Sequence, residues 1–111
     1  MNNLYIISGI AHYLEKISLA PDSTLHAFLE DISFADAPAE IIATCIVENA
    51  ETAGLDFELH MPVSAIIEGR TYAIRVRIET AGELRFINKT SHPVDPRANY
   101  LKPIEVLVAS V

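Results

Sequence analysis

Between Tyr72 and Phe86 apolar and polar side chains alternate, with Tyr72, Ile74, Val76 and Ile78 on one parity and Ala73, Arg75, Arg77 and Glu79 on the other. Period two is the repeat of a strand buried on one face. Pairing the apolar parity with Leu84 and Phe86 sets Ile78 opposite Leu84 and Val76 opposite Phe86. This predicts a hairpin with a three-residue loop, Thr80-Ala81-Gly82, in which the glycine takes the left-handed position. The same alternation recurs at Leu25, Ala27 and Leu29 against Thr24, His26, Phe28 and Glu30, and at Leu55, Phe57, Leu59 and Met61 against Asp56, Glu58 and His60. Each predicts a half-buried strand.

The remaining segments are less regular. Tyr5 to Tyr13, with Ile6, Ile7 and Ile10, reads as a first strand that bulges at Gly9. Ala20-Pro21-Asp22-Ser23 is a turn, since Pro21 presets φ and Asp22 can bond nearby backbone. Ala37 to Ala53 carries two signals. Asp36 suits a helix N-cap with Pro38 in the first turn, whereas Ile41, Ile42, Thr44, Ile46 and Val47 crowd β-branched side chains into one short run. The β-branched run predicts a strand over Ile41–Glu48, with Ile41, Ala43, Cys45 and Val47 as its core parity. Asn49 to Gly54 is turn-like, and Pro62 ends the strand before a short crossover over 63–69. Pro93, Pro96 and Pro103 keep Ser91–Pro103 from being a regular interior strand or helix, and Ile104–Val111 is a last strand. The tally is about seven short strands. It predicts an all-β chain, a single domain over 1–111, folded as an antiparallel sandwich or a partly closed barrel.

Composition narrows the function classes. Eight basic residues against fifteen acidic ones give a net charge of −7 over 111 residues, which argues against binding along nucleic acid or anionic lipid. No apolar run approaches the roughly 20 residues of a spanning helix. Met1-Asn2-Asn3 carries no positive charge and Leu4–Ile10 is interrupted by Ser8 and Gly9, so the opening residues do not read as a signal peptide. With Cys45 alone, an internal disulfide and a multi-cysteine zinc site are excluded.

Chemistry-bearing patterns are few. His12, His26, His60 and His92 fall on four segments without metal-ligand spacing, so no metal and no cofactor is expected. Cys45, on the apolar parity of its strand, is expected to be buried rather than nucleophilic. Glu30-Asp31, Asp56/Glu58 and Glu79/Glu83 are carboxylate pairs of the kind solvated strand faces produce. There is no glycine-rich phosphate loop and no Gly-x-Ser-x-Gly. Asn88-Lys89-Thr90 matches a glycosylation acceptor only as a short pattern. The feature that stands out is arginine: in the expected register Arg77 faces Arg85, with Arg75 and Arg70 close by. Two readings are open. Diagonal ion pairs, Arg77 with Glu83 and Arg85 with Glu79, would relieve the repulsion. Alternatively Arg70, Arg75, Arg77 and Arg85 form a binding face for an acidic partner or an anionic glycan.

Ser8-Gly9-Ile10 to Tyr13, Ile17-Ser18-Leu19-Ala20-Pro21, Leu29-Glu30-Asp31-Ile32-Ser33 with Ala35-Asp36-Ala37-Pro38, Phe57-Glu58-Leu59, Tyr72–Ile78 and Gly82-Glu83-Leu84-Arg85-Phe86 occur in the order of one family. From about Ser8 to Val94 the chain resembles the YbaY/YscW group of small bacterial envelope lipoproteins, the type III secretion lipoprotein chaperone or pilotin-like domain. The resemblance implies a β-sandwich without catalytic residues, tethered to the outer membrane from the periplasmic side, with an outer-membrane or secretion-system protein as partner. It supplies no motif of binding residues. Family members begin with a signal peptide and a lipid-modified cysteine. Cys45, in mid-domain, cannot be that anchor, so localisation stays open: periplasmic and outer-membrane-associated by the resemblance, or cytoplasmic if Met1 is the native start. The expectation is a non-enzymatic binding or assembly domain that engages a protein segment through a sheet edge or the arginine face. The alternative is a small carbohydrate- or anion-binding module.

Overall fold

The computed structural model describes residues 3–98 and 100–111. The alternating segments are strands, and their apolar parities meet in one core. In chain order the strands are β1 (Leu4–His12), β2 (Ser23–Asp31), β3 (Glu40–Val47), β4 (Asp56–Pro62), β5 (Tyr72–Thr80), β6 (Glu83–Asn88), β7 (His92–Val94) and β8 (Ile104–Ser110). A four-residue helix, α1 (Ala50–Ala53), occupies the turn between β3 and β4, and a single 3₁₀ turn follows Pro62.

One sheet runs β3-β2-β5-β6-β8-β1-β4, with β7 added beside β5. Its end strands β3 and β4 come back against each other, with no ladder between them among the described residues. The sheet is therefore a nearly closed barrel, the second of the two expected architectures. All pairs are antiparallel except β1–β8, which is parallel from Gly9↔Ile104 to His12↔Leu107. A long-range return of the chain terminus made that pairing, and alternation carries no sign of strand direction.

β2 and β5 form the longest ladder, with Leu25↔Ile78, Ala27↔Val76 and Leu29↔Ile74 all inside. From the opposite wall Ile7, Phe57, Leu59, Met61, Val106 and Val108 complete the core. Gly9 does not bulge. It faces Phe57 across the β1–β4 ladder, and a Cβ there would lie 2.3 Å from Phe57 Cζ, so the ring occupies the volume a side chain would need.

Two bulges correct the expected registers. The β5–β6 loop has two residues, Ala81 and Gly82, both with positive φ (51° and 82°), as the tight primed hairpin turns require. Thr80 pairs with Glu83 and Glu79 with Leu84. A shift then brings Ile78 opposite Phe86 and Arg77 opposite Ile87. Arg85 is the extra residue, and it does not face Arg77. In β3 the register shifts where Leu29↔Ala43 gives way to Glu30↔Ile41. The bulge reverses the parity, so Ile42 packs on the core while Ile41 is 52% exposed. Cys45 keeps its inward parity opposite Ala27 but is only half-buried, because β3 is an end strand.

β5 meets β6 along its C-terminal half and β7 along its N-terminal end, which leaves a gap in between. Asn88 fills it. Its Oδ1 accepts from Val76 N–H (2.5 Å) and its Nδ2 donates to the Ile74 carbonyl (2.9 Å), so one side-chain amide replaces a missing peptide unit of the ladder.

Candidate binding faces

The four arginines singled out in the sequence do not form one free cationic patch. Arg75 and Arg77 stand on the outward parity of β5, between Phe28 and His26 of β2. Arg75 pairs with Glu30 (3.0 Å) and its guanidinium carbon lies 4.7 Å from the Phe28 ring centre. Arg77 reaches Glu79, two residues along the same strand (2.6 Å), and His26 Nε2 approaches the same carboxyl group at 3.5 Å. The Nε of Arg77 is buried with no hydrogen-bond partner, so only one edge of its fork is engaged. Arg85, on the bulge, pairs with Glu83 (3.2 Å). Arg77 and Arg85 thus pair along their own strands, at i and i+2, rather than diagonally across the β5–β6 hairpin, because the bulge displaces Arg85 from the diagonal, whereas Arg75 pairs diagonally with Glu30 of β2.

Arg70 stands apart, just before β5. It holds Asp31 at 3.0 Å and lies over the Phe34 ring at 4.7 Å. Burial would raise the Asp31 carboxyl, but the Ser33 hydroxyl and N–H and the Arg70 guanidinium together outweigh it and hold the group below the usual carboxylate range. The Ser33 hydroxyl also accepts from Thr71 N–H (2.8 Å). This network ties the end of β2 to the start of β5, and its geometry is that of a strut.

The other candidates separate in the same way. Among the described residues no group of histidine, cysteine and carboxylate side chains could hold a metal ion. His60 bonds Glu58 (2.9 Å) on the outer surface of β4, opposite the exposed residues Ile6 and Ser8, with no buried nucleophile beside it. Asn88, whose amide completes the β5 ladder, is not free to act as a glycan acceptor. Beside it lies a shallow depression of about 280 Å³ lined by Ile32, Ala73, Ile74, Arg75, Ile87 and Lys89 among others.

One face escaped the sequence reading. Outward residues of β1 are Leu4, Ile6, Ser8, Ile10 and His12, and Leu4 and Ile6 are 44% and 55% exposed. The signal was available: Leu4-Tyr5-Ile6-Ile7 is apolar on both parities, the pattern of a strand covered on two faces. Next to Ile6 a depression of about 180 Å³ is bordered by Tyr100, Leu101, Lys102 and Pro103.

Residues 3–101 match the model of the type III secretion system lipoprotein chaperone family, YscW. The chain belongs to this family. Among solved structures it is similar to one described as an alternative pilotin from the type II secretion system of Vibrio cholerae. The two share 33% sequence identity and a TM-score of 0.81, over 96% of this chain and 98% of that one. No curated protein sequence matches. The YscW match spans every strand from β1 to β7, so the arginine face and the outer face of β1 both lie within the family domain.

Proposed function

We propose that this protein is a non-catalytic binding domain that engages a segment of a secretion-system protein, as a pilotin or lipoprotein chaperone would. The observation that carries the reading is the likeness to the Vibrio cholerae pilotin over nearly the whole length of both chains, at 33% sequence identity. The scarcity of convergent chemistry supports it: the acidic and basic side chains that meet do so as surface ion pairs or as struts between strands.

Of the two surfaces suggested by the sequence, the arginine face is the poorer candidate. Each of its guanidinium groups already has a carboxylate of this chain, and an acidic partner would have to displace it for a gain of only about 0–1 kcal/mol per exposed pair. The same pairing weakens the carbohydrate- or anion-binding alternative.

The test is an affinity pull-down from an envelope extract of the source organism, with wild-type protein beside an Arg77→Gln/Arg85→Gln variant and bound proteins identified by mass spectrometry. Retention of a secretion-system outer-membrane protein by both forms is expected. Loss from the variant would return the arginine face to the binding site. Failure of the wild type to retain any secretion component would overturn the reading.

A further inference from the structure

We infer that the outer face of β1 is the docking surface, and that its occupant is a basic amphipathic segment of the secretion-system partner. The inference rests on the proposed function and adds the surface and the partner's chemistry. Leu4, Ile6, Ser8 and Ile10 form a largely apolar stripe along one strand, and Tyr100 (43% exposed) and Leu101 (92% exposed) extend it sideways. Other strands fill their solvent faces differently: β5 carries ion-paired Arg75, Arg77 and Glu79, β4 carries Asp56, Glu58 and His60, and β3 exposes Ile41 and Ile46 with Thr44 between them and, among the described residues, no flanking depression lined by them. A strand apolar on both faces yet covered on one leaves surface that a partner can bury.

Charge decides the occupant. Register places Asp56 and Glu105 on either side of Ile10, and Glu58 opposite Ser8. The stripe is therefore flanked by carboxylates at its Ser8–Ile10 end, on both neighbouring strands. Neither Asp56 nor Glu105 has an ion-pair partner among the described residues, and Glu58 is bonded only to His60. Lys102, at the edge of the depression, is the one basic side chain lining it. A segment with apolar residues flanked by lysine or arginine matches this pattern. A second copy of the chain docked on the same face would set these carboxylates against one another, and an anionic membrane surface would be repelled by them.

The experiment places a benzophenone amino acid at Ile6 or, as a control of nearly equal exposure on β3, two strands away across the β3–β4 seam, at Ile46. Each form is irradiated in cells of the source organism and the cross-linked segment is sequenced. A synthetic peptide of that segment is then titrated against wild-type protein and against an Asp56→Lys/Glu105→Lys variant. The expected result is an adduct from Ile6 and not from Ile46, to a segment rich in lysine or arginine. Its affinity should fall at least tenfold in the charge-reversed variant at low salt, with the difference shrinking at high salt. Adducts from Ile46 alone would overturn the assignment while leaving the proposed function intact. An adduct to a second copy of this chain would overturn it in favour of self-association. A segment without basic residues, or an affinity unmoved by charge reversal, would overturn the electrostatic argument. No adduct from either position would overturn the docking surface, and an empty pull-down beside it would take the proposed function with it.

Discussion

At the scale of single residues, two positions have a role set by a neighbour distant in sequence and a third by its own backbone conformation. Gly9 lies under the Phe57 ring, which leaves no room for a Cβ. Gly9→Ala should destabilise the protein by about 1–3 kcal/mol, read from urea midpoints, with Phe57→Leu recovering part of the loss in the double variant. Ala81 holds a left-handed backbone (φ 51°) that asparagine adopts more readily. Ala81→Asn should therefore raise stability by roughly 0.5–1 kcal/mol. Removing the Asn88 amide leaves Val76 N–H and the Ile74 carbonyl without partners. Asn88→Ala should cost about 1–3 kcal/mol and speed hydrogen exchange at Val76, whereas a merely exposed asparagine would change neither.

At the scale of elements, carboxylates fasten loops to strand ends. The Ser110 hydroxyl and N–H hold the Glu15 carboxyl below its ordinary range, and this contact caps the free end of β8. Glu51 on α1 is lowered by its own backbone N–H and by Ser23 N–H, which fastens α1 to the start of β2. Asp31, lowered on balance by Ser33 and Arg70 against the opposing effect of burial, ties β2 to β5. A carboxylate depressed in the folded state stabilises it fully above the unfolded pKa, and that contribution is lost as pH falls through the folded value. Stability should therefore decline from about pH 4 downward. In Asp31→Asn the loss between about pH 6 and pH 3 should be smaller, measured by urea midpoints. An equal slope would show that the Asp31 network contributes nothing to acid sensitivity.

At the scale of the molecule, one continuous sheet encloses one core, so its halves have no separate means of burying their apolar faces. The seam between β3 and β4 is the exception in local stability. Among the described residues both strands have one edge without a ladder, so amides on those edges should exchange faster than those shared by β2 and β5. Hydrogen exchange resolved by residue checks this, and equal protection on both sides of the barrel would mean that the seam is fully bonded in solution. The arrangement also separates the two outer faces: ion pairs cover the β2–β5 side, while an apolar stripe with acidic borders is left on the β1 side.

The sequence alone determined the seven longer strands and, for β2, β4 and β5, which side chains turn inward, because burial on one face imposes period two; the short β7, expected to run extended across the surface because of Pro93, pairs instead with β5. It also carried the family resemblance, through segments spread over most of the chain. Only the tertiary structure decided the registers. A bulge inserts one residue without changing the alternation visible on either side of it, so neither the exposure of Ile41 nor the separation of Arg77 from Arg85 could be read in advance. Closure into a barrel and the parallel β1–β8 pair depend on contacts between the two ends of the chain, about which local pattern is silent. The outer face of β1 was half-legible: Leu4-Tyr5-Ile6-Ile7 announced a strand apolar on both sides. That one side faces solvent, between carboxylates brought in by β4 and β8, was settled only by strand order, which sets neighbours that sequence distance does not.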